Sequence, residues 1–332
     1  MALGMLAFIP KHNHIPGLDE NEGVALLLKR LGSKDPSRGP NMNIEGVSAQ
    51  VGEDIVKQGF SKGADTKKSK RQSKHFVCTS CHNTVQEDPD LAVLDPQARL
   101  EYAKEKGIPF LQGTTLYGAV NRETFYNDDY VLKYGDLVDD AKNDIRGAIQ
   151  LCAKECAQGR TLKDWELESI LAYLWKIEIK VGDLNLNEEE KEKIENAIQD
   201  NSIGEEAITI VKSKYAAASP ATFVYPPEDR AMGSGLTGVP SNGKLIYEQS
   251  CLHCHYKKEY SFLHLDSKKM SFTHLKSKIA TYHRHSLYQV TRWGTYSKMG
   301  KKSYMPRYTL ERMSEQQLTD LRSYIEEQAD IL

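Results

Sequence analysis

Apolar residues recur at helical spacing along several stretches of this chain, and nowhere do they alternate over a run long enough for a strand. In residues 143–158, Ile145, Ala148, Ile149, Cys152 and Cys156 fall at i, i+3, i+4, i+7 and i+11, a single apolar stripe. Gly159 stands where a helix C-cap belongs. Thr161 with Asp164 then makes a start of the capping-box type for residues 162–179, whose buried face is Trp165, Ile170, Leu171, Leu174 and Ile177. Residues 46–60 carry a helical pattern ending near Gly63, and 188–199 and 204–218 are charged helical segments. Near the end of the chain, Asn242 is placed to cap a helix from Gly243 that runs on to residue 255. Ser314 with Gln317 opens a last helix in which Leu318, Leu321 and Ile325 face one way. The expectation is an all-α fold with much loop.

Composition narrows the picture. Lys and Arg number 44 against 46 Asp and Glu over 332 residues, a formal charge of -2. That balance excludes a nucleic-acid binder working through bulk charge. A mean hydropathy of -0.56 with 39% hydrophobic residues describes a chain able to build a core, and no apolar run approaches the ~18 residues of a spanning helix. Residues 1–45, rich in Gly, Pro, Asn and His, read as an extended arm. A first module follows over 46–180, a linker over 181–240 and a second module over 241–332. A basic stretch, Lys62, Lys67, Lys68, Lys70, Arg71 and Lys74 against Asp65, reads as a solvated loop. Gly233, Gly235 and Gly238 spell a lone G-x-G-x-x-G without a preceding strand, and read as a flexible loop.

The cysteines change the picture most. Cys78, Cys81 and His82 read C-T-S-C-H, and Cys251, Cys254 and His255 read C-L-H-C-H, about 170 residues later. C-x-x-C-H is the attachment signature of c-type haem: two thiols one turn apart reach the two vinyl groups of one porphyrin, and the adjacent imidazole becomes the proximal iron ligand. A single C-x-x-C also suits a redox dithiol or half a zinc site. Two copies, each followed by His, favour two covalently bound haem c groups and two tandem class I cytochrome c-like modules. Covalent attachment takes place outside the cytoplasm, so the expected location is periplasmic or otherwise exported. Residues 2–10 are apolar but have no basic residue before them, so a signal peptide is not evident.

Each iron needs a second axial ligand. For the second haem the candidates are Met270, Met299, Met305, His264, His274, His283 and His285. Tyr304-Met305-Pro306, nine residues before the terminal helix cap, resembles the methionine loop of class I cytochromes c, which makes Met305 the expected ligand and Met299 the next. Between residues 83 and 180 there is neither methionine nor histidine. That stretch offers Cys152 and Cys156 instead, as buried small hydrophobes or as a thiolate on iron. A disulfide between helical i and i+4 positions is geometrically awkward and is discounted.

The segment 149–162, I-Q-L-C-A-K-E-C-A-Q-G-R-T-L, resembles the stretch of dihaem thiosulfate dehydrogenases (tetrathionate-forming) that supplies a cysteine axial ligand to the active-site haem. The match rests on Cys152, Gly159, Arg160 and Leu162, while the family position matching Cys156 is ordinarily a serine. More distantly, the chain is similar to sulfur-oxidising cytochromes whose haem also carries a thiolate. The resemblance implies a His82/Cys152 haem of low potential where two thiosulfates couple, with Arg160 holding the dianion. It also implies a His255/Met305 haem of higher potential that passes electrons to a redox partner cytochrome or respiratory complex. The connector 113–140 is longer and more acidic than the family's, and neither Arg122 nor Arg146 matches a motif position in it. The alternative is a dihaem electron-transfer protein with no substrate, or a subunit of a larger respiratory or sulfur-oxidising assembly.

Overall fold

The computed structural model describes residues 17–34, 38–62, 69–200, 204–282, 285–295 and 304–331. Among them every regular element is helical, and the β pairings include the isolated bridges of Gly23 with Lys180 and of Thr124 with Ala218. The all-α expectation is met. No helix among the described residues is long and apolar enough to cross a membrane. The apolar run 2–10, Gly63, Asp65, Lys67, Lys68, His283 and Met299 lie outside the described residues.

Two compact units divide the chain. One takes residues up to Asp35 together with Lys180–Lys214; the other takes Pro36–Ile179 together with Tyr215–Leu332. In the first unit the expected extended arm contains the helix Val24–Arg30, which buries Val24, Leu27 and Leu28. Its apolar spacing was obscured by the glycines and prolines around it. The helices Glu188–Gln199 and Glu205–Lys212 complete the unit, burying Ile194, Ile198, Ala207 and Val211. Asn187 caps the first of these and accepts from the Glu190 N–H at 2.9 Å.

Both C-x-x-C-H motifs fall in the second unit, which repeats one device. Ala49–Gln58, capped by Ser48 and closed by a left-handed Gly59, packs across Asp164–Lys176. Gly52 sits at the crossing, where a Cβ would run into the Ser169 carbonyl. Pro240–Ile246 packs across the terminal helix Glu315–Ile331 in the same way, with Gly243 against the Asp320 carbonyl. Each crossing brings two helices closer than any side chain would allow. Each also gathers a core: Ile55, Ile170, Leu171 and Leu174 in the first, Ile246, Leu318, Leu321 and Ile325 in the second.

Local details differ from expectation for physical reasons. The helix at 240 starts three residues earlier than Asn242 suggests, because Pro240 suits the first turn and Val239 takes the cap position. The side chain of Asn242 instead donates to Asp320 at 2.7 Å and to Gln97 at 3.0 Å. Gly159 is not a left-handed cap; Gln158 takes that conformation at φ 49°, and Gly159 is needed where a Cβ would meet Gln72 and the Ala153 carbonyl. Thr161 does not cap. Lys163 holds the cap position, and its N–H is satisfied by Glu166 at 2.9 Å. The Ser314/Gln317 box forms as expected, with reciprocal bonds of 3.0 and 3.1 Å.

Pro96–Lys106 is a helix the hydrophobic pattern does not announce. Asp95 caps it, Pro96 opens it and Gly107 closes it in the left-handed region. It delivers Leu100, with Phe110 just beyond, to the core of the second crossing. The helix also carries Arg99 into a buried charge cluster. Glu87 accepts from Arg312 at 2.6 and 3.1 Å and lies 4.0 Å from Arg99, which bonds Asp88 at 2.8 Å. Burial opposes ionisation of Glu87, but the Arg312 and Arg99 guanidiniums outweigh it and hold the carboxyl at about 2.

A carboxyl depressed in the fold stabilises above its unfolded value and loses that contribution as pH falls through the folded one. Glu87→Gln is therefore expected to cost about 3–5 kcal/mol near neutral pH, because it leaves buried guanidiniums uncompensated. It should also remove a loss of stability that the parent protein shows between about pH 4.5 and 2. Denaturant unfolding of both proteins across that range checks it; equal slopes would contradict the account.

Candidate haem sites

The first motif is one tight turn. Cys78–Ser80 form a 3₁₀ turn, and the Cys81 and His82 N–H groups donate to the Cys78 carbonyl at 3.1 and 3.0 Å. His82 Nδ1 lies 2.6 Å from the Thr114 carbonyl. A carbonyl only accepts, so Nδ1 carries the proton and Nε2 is left with its lone pair, the arrangement of a metal-ligating histidine. Burial pushes the His82 ring below its ordinary range, against the pull of the Thr114 bond, which keeps it neutral. Gly113 makes this approach possible: a Cβ there would sit 2.6 Å from the imidazole.

Cys78, Cys81 and His82 line a cavity of about 220 Å³ that opens at a mouth. Val56, Leu116, Ile145 and Leu174 supply apolar walls. The acidic connector supplies an aromatic one, with Tyr126, Tyr130 and Tyr134 in edge and stacked contacts at 4.7 and 6.2 Å. The helix Ile145–Leu151, capped by Asp144, continues as a π turn over Cys152–Cys156, and both cysteines line the cavity. Cys152 and Cys156 are near enough for each to shift the other's titration. The Tyr134 and Tyr126 hydroxyls lie 3.2 and 3.7 Å from Cys156 Sγ. The neighbouring Cys152, the Lys133 ammonium and the two tyrosines stabilise a Cys156 thiolate against burial and bring it to about 6, while Cys152 is driven up.

At the second motif, Leu252–His255 is a short helix, and His255 Nδ1 lies 3.0 Å from the Leu263 carbonyl, repeating the orientation seen at His82. Met305 is half-buried and packs on the same core as Cys251 and Leu252. Its backbone is pinned by bonds with Thr295 at 2.8 and 3.1 Å. The rival ligands are less suited. Met270 is 84% exposed, His264 lies 3.7 Å from Asp266, and His274 and His285 are exposed. The two motifs are neighbours: the turn at Thr79 and Ser80 lies close enough to influence the His253 ring and the Tyr260 hydroxyl.

All six cysteines are free, and no three His, Cys, Asp or Glu side chains among the described residues converge as a zinc site requires. The donors fit covalent haem: paired thiols, an oriented neutral imidazole and, at the first motif, an apolar cavity. Arg160 is not among the residues lining it. Glu166 grips its guanidinium at 2.5 and 2.7 Å, and the Lys70 carbonyl takes a third bond. Arg146 is likewise taken by Glu168 at 2.6 and 2.8 Å. The cations at the cavity are Arg122, Lys133, Arg307 and Arg312. Arg312 is neutralised by Glu87, and Arg122 donates to the Thr115 and Tyr117 carbonyls. Lys133 lies over the Tyr134 and Tyr304 rings at 4.8 and 5.5 Å. Lys133 and Tyr304 carried no signal in sequence, since what brings them here is tertiary folding of the connector and the methionine loop.

Gly113→Ala tests the orientation of His82. The alanine is expected to displace the ring, lower haem attachment at the first motif and alter that haem's optical spectrum. An unchanged haem-to-protein ratio and spectrum would contradict it.

No characterised protein sequence and no solved structure matches the chain. The cytochrome c family profile matches residues 240–329, the segment that carries Cys251, Cys254, His255 and Met305. That segment is a cytochrome c domain, which supports covalently bound haem c and haem-based electron transfer in this chain.

Proposed function

We propose that the chain is a dihaem c-type cytochrome that oxidises thiosulfate to tetrathionate at the first cavity and passes electrons on through the second motif. The observation that carries this reading is the cavity itself, where Cys78, Cys81 and His82 meet two cysteines and the cations Lys133 and Arg307. Coupling two thiosulfates forms one S–S bond and releases two electrons, which two haems c, when bound, take up one each. Cys152 would hold the first haem's iron together with His82, giving up its proton to the metal, with Cys156 beside it, and Lys133 and Arg307 hold the dianion in place of Arg160. The closeness of the motifs, at His253 and Tyr260, gives electrons a short path. Met305 with His255 would hold the second haem's iron, and a thioether there would favour the reduced state and set the direction of flow. The repeated glycine crossings and paired histidine–carbonyl bonds support a second haem module beside the matched one. Covalent haem attachment takes place outside the cytoplasm, which supports a periplasmic or otherwise exported location.

One observation favours a carrier without a substrate. Residues 256–310 contain twelve Lys and Arg against two acidic residues in a chain of nearly balanced charge. Such a segment suits docking of an acidic redox partner.

Ferricyanide reduction by the holo-protein with thiosulfate as sole donor separates the readings. The proposal expects one tetrathionate for every two electrons. Lys133→Gln should raise KM about ten- to a hundredfold through loss of a charge-assisted contact, with Arg160→Gln leaving KM unchanged. No turnover, with the haems still reducible by dithionite, makes the protein a carrier. Cys152→Ala should change the optical and EPR spectrum of the first haem alone, and an unchanged spectrum would remove the thiolate ligand.

A further inference from the structure

The first cavity contains a second pair of cysteines besides the pair that haem attachment uses. Cys152 and Cys156 are four residues apart, and both line the cavity. In a regular α-helix such residues have Cβ atoms about 5–6 Å apart, whereas a disulfide needs about 3.5–4.5 Å. Closure therefore requires a movement of about 1–2 Å. Mid-helix, the hydrogen-bond ladder would resist it, which is why spacing alone argues against a disulfide here.

The observed backbone is different. The helix changes to π geometry over Cys152–Cys156, with the Ala157 N–H donating to the Cys152 carbonyl at 2.8 Å. Single π turns of this kind are frequent at functional sites. Two residues past Cys156 the chain leaves the helix through Gln158 at φ 49°. Cys156 thus belongs to a loosened last turn and has no further helix to carry with it. Its surroundings suit an attacking sulfur: the Tyr134 and Tyr126 hydroxyls lie 3.2 and 3.7 Å from Sγ, and Lys133 lines the same wall. The open mouth of the cavity admits a small reagent.

We propose that Cys152 and Cys156 are a redox-active dithiol that closes to a disulfide when it meets a small disulfide R–S–S–R. Cys156 sulfur attacks one sulfur of the reagent, the R–S–S–R bond breaks, and the first RS⁻ leaves and takes the Cys156 proton. Cys152 sulfur then attacks Cys156 sulfur, the Cys152–Cys156 bond forms, and the second RS⁻ leaves with the Cys152 proton. The two protein thiols lose two electrons, and the reagent is reduced to two RSH. The closed form presents no thiolate to the cavity, so closure switches off any step there that needs one. This goes beyond thiosulfate oxidation and does not depend on it.

Trypsin provides the test, because it cuts after Lys154, between the two cysteines. The holo-protein is treated with dithiodipyridine, its remaining thiols are alkylated, and the digest is analysed by mass. The expected result is peptide 147–154 joined to peptide 155–160, with two thiopyridones released per chain and reversal by dithiothreitol. In Cys152→Ser the second step is lost, and the probe should remain trapped on Cys156 as a mixed disulfide. Recovery of both cysteines alkylated, or of both carrying the probe without a joined peptide, would overturn the proposal. The readout is a peptide bond pattern, so a joined pair in a protein without thiosulfate turnover would uphold the dithiol and reject the thiosulfate reading.

Discussion

Glu87 is a carboxylate with almost no access to water, placed between guanidiniums from opposite ends of the sequence, and the geometry of the first site hangs on it. An isolated charge in that position would be strongly unfavourable. Here it is matched by Arg312 and Arg99, and its remaining acceptor capacity is taken by the Asn83 side chain at 3.0 Å and the Thr115 N–H at 2.8 Å. Asn83 follows His82, and Thr115 follows the carbonyl that orients the His82 ring. Arg312 also donates to the Leu111 carbonyl at 2.7 and 3.0 Å. The loop 111–115 is thereby fixed from both sides, and His82 with it. Since Arg312 lies just before the cap of the terminal helix, the same cluster joins the two C-x-x-C-H segments into one compact unit.

The all-α class, the helices at 49–58 and 164–176 and the terminal capping box were legible in the chain because apolar spacing and cap residues act locally. The helix Pro96–Lys106 was also written locally, in Asp95, Pro96 and Gly107, but its single buried stripe is interrupted by Arg99, whose burial depends on partners over 200 residues away. The helix Val24–Arg30 escaped notice for the reverse reason: Val24, Leu27 and Leu28 are properly spaced, yet the glycines and prolines around them dominate the composition.

At the site, the haem-attachment residues were legible because two thiols and an imidazole must be adjacent in sequence to reach one porphyrin. The charge that meets a substrate has no such requirement. Arg160 lies next to the cysteine segment in sequence but turns to Glu166, whereas Lys133 comes from the connector and is presented by the short helix Val131–Tyr134. Cys156 illustrates a third case. Its place on an apolar stripe was visible, but the π turn that sets it against Cys152 was not, since a shift from i→i+4 to i→i+5 bonding leaves the residue pattern unchanged. Tyr304 completes the wall by donating to the Cys156 carbonyl at 2.7 Å, while its neighbour Met305 packs on the opposite core. One dipeptide therefore serves both sites.

The account stands on two haems attached within a single compact unit, and peptide mass analysis of the holo-protein tests that most directly. The prediction is haem joined by thioethers to the peptide carrying Cys78 and Cys81 and, in equal amount, to the peptide carrying Cys251 and Cys254. Haem found only on Cys251 and Cys254, with Cys78 and Cys81 recovered as alkylatable thiols, would contradict it.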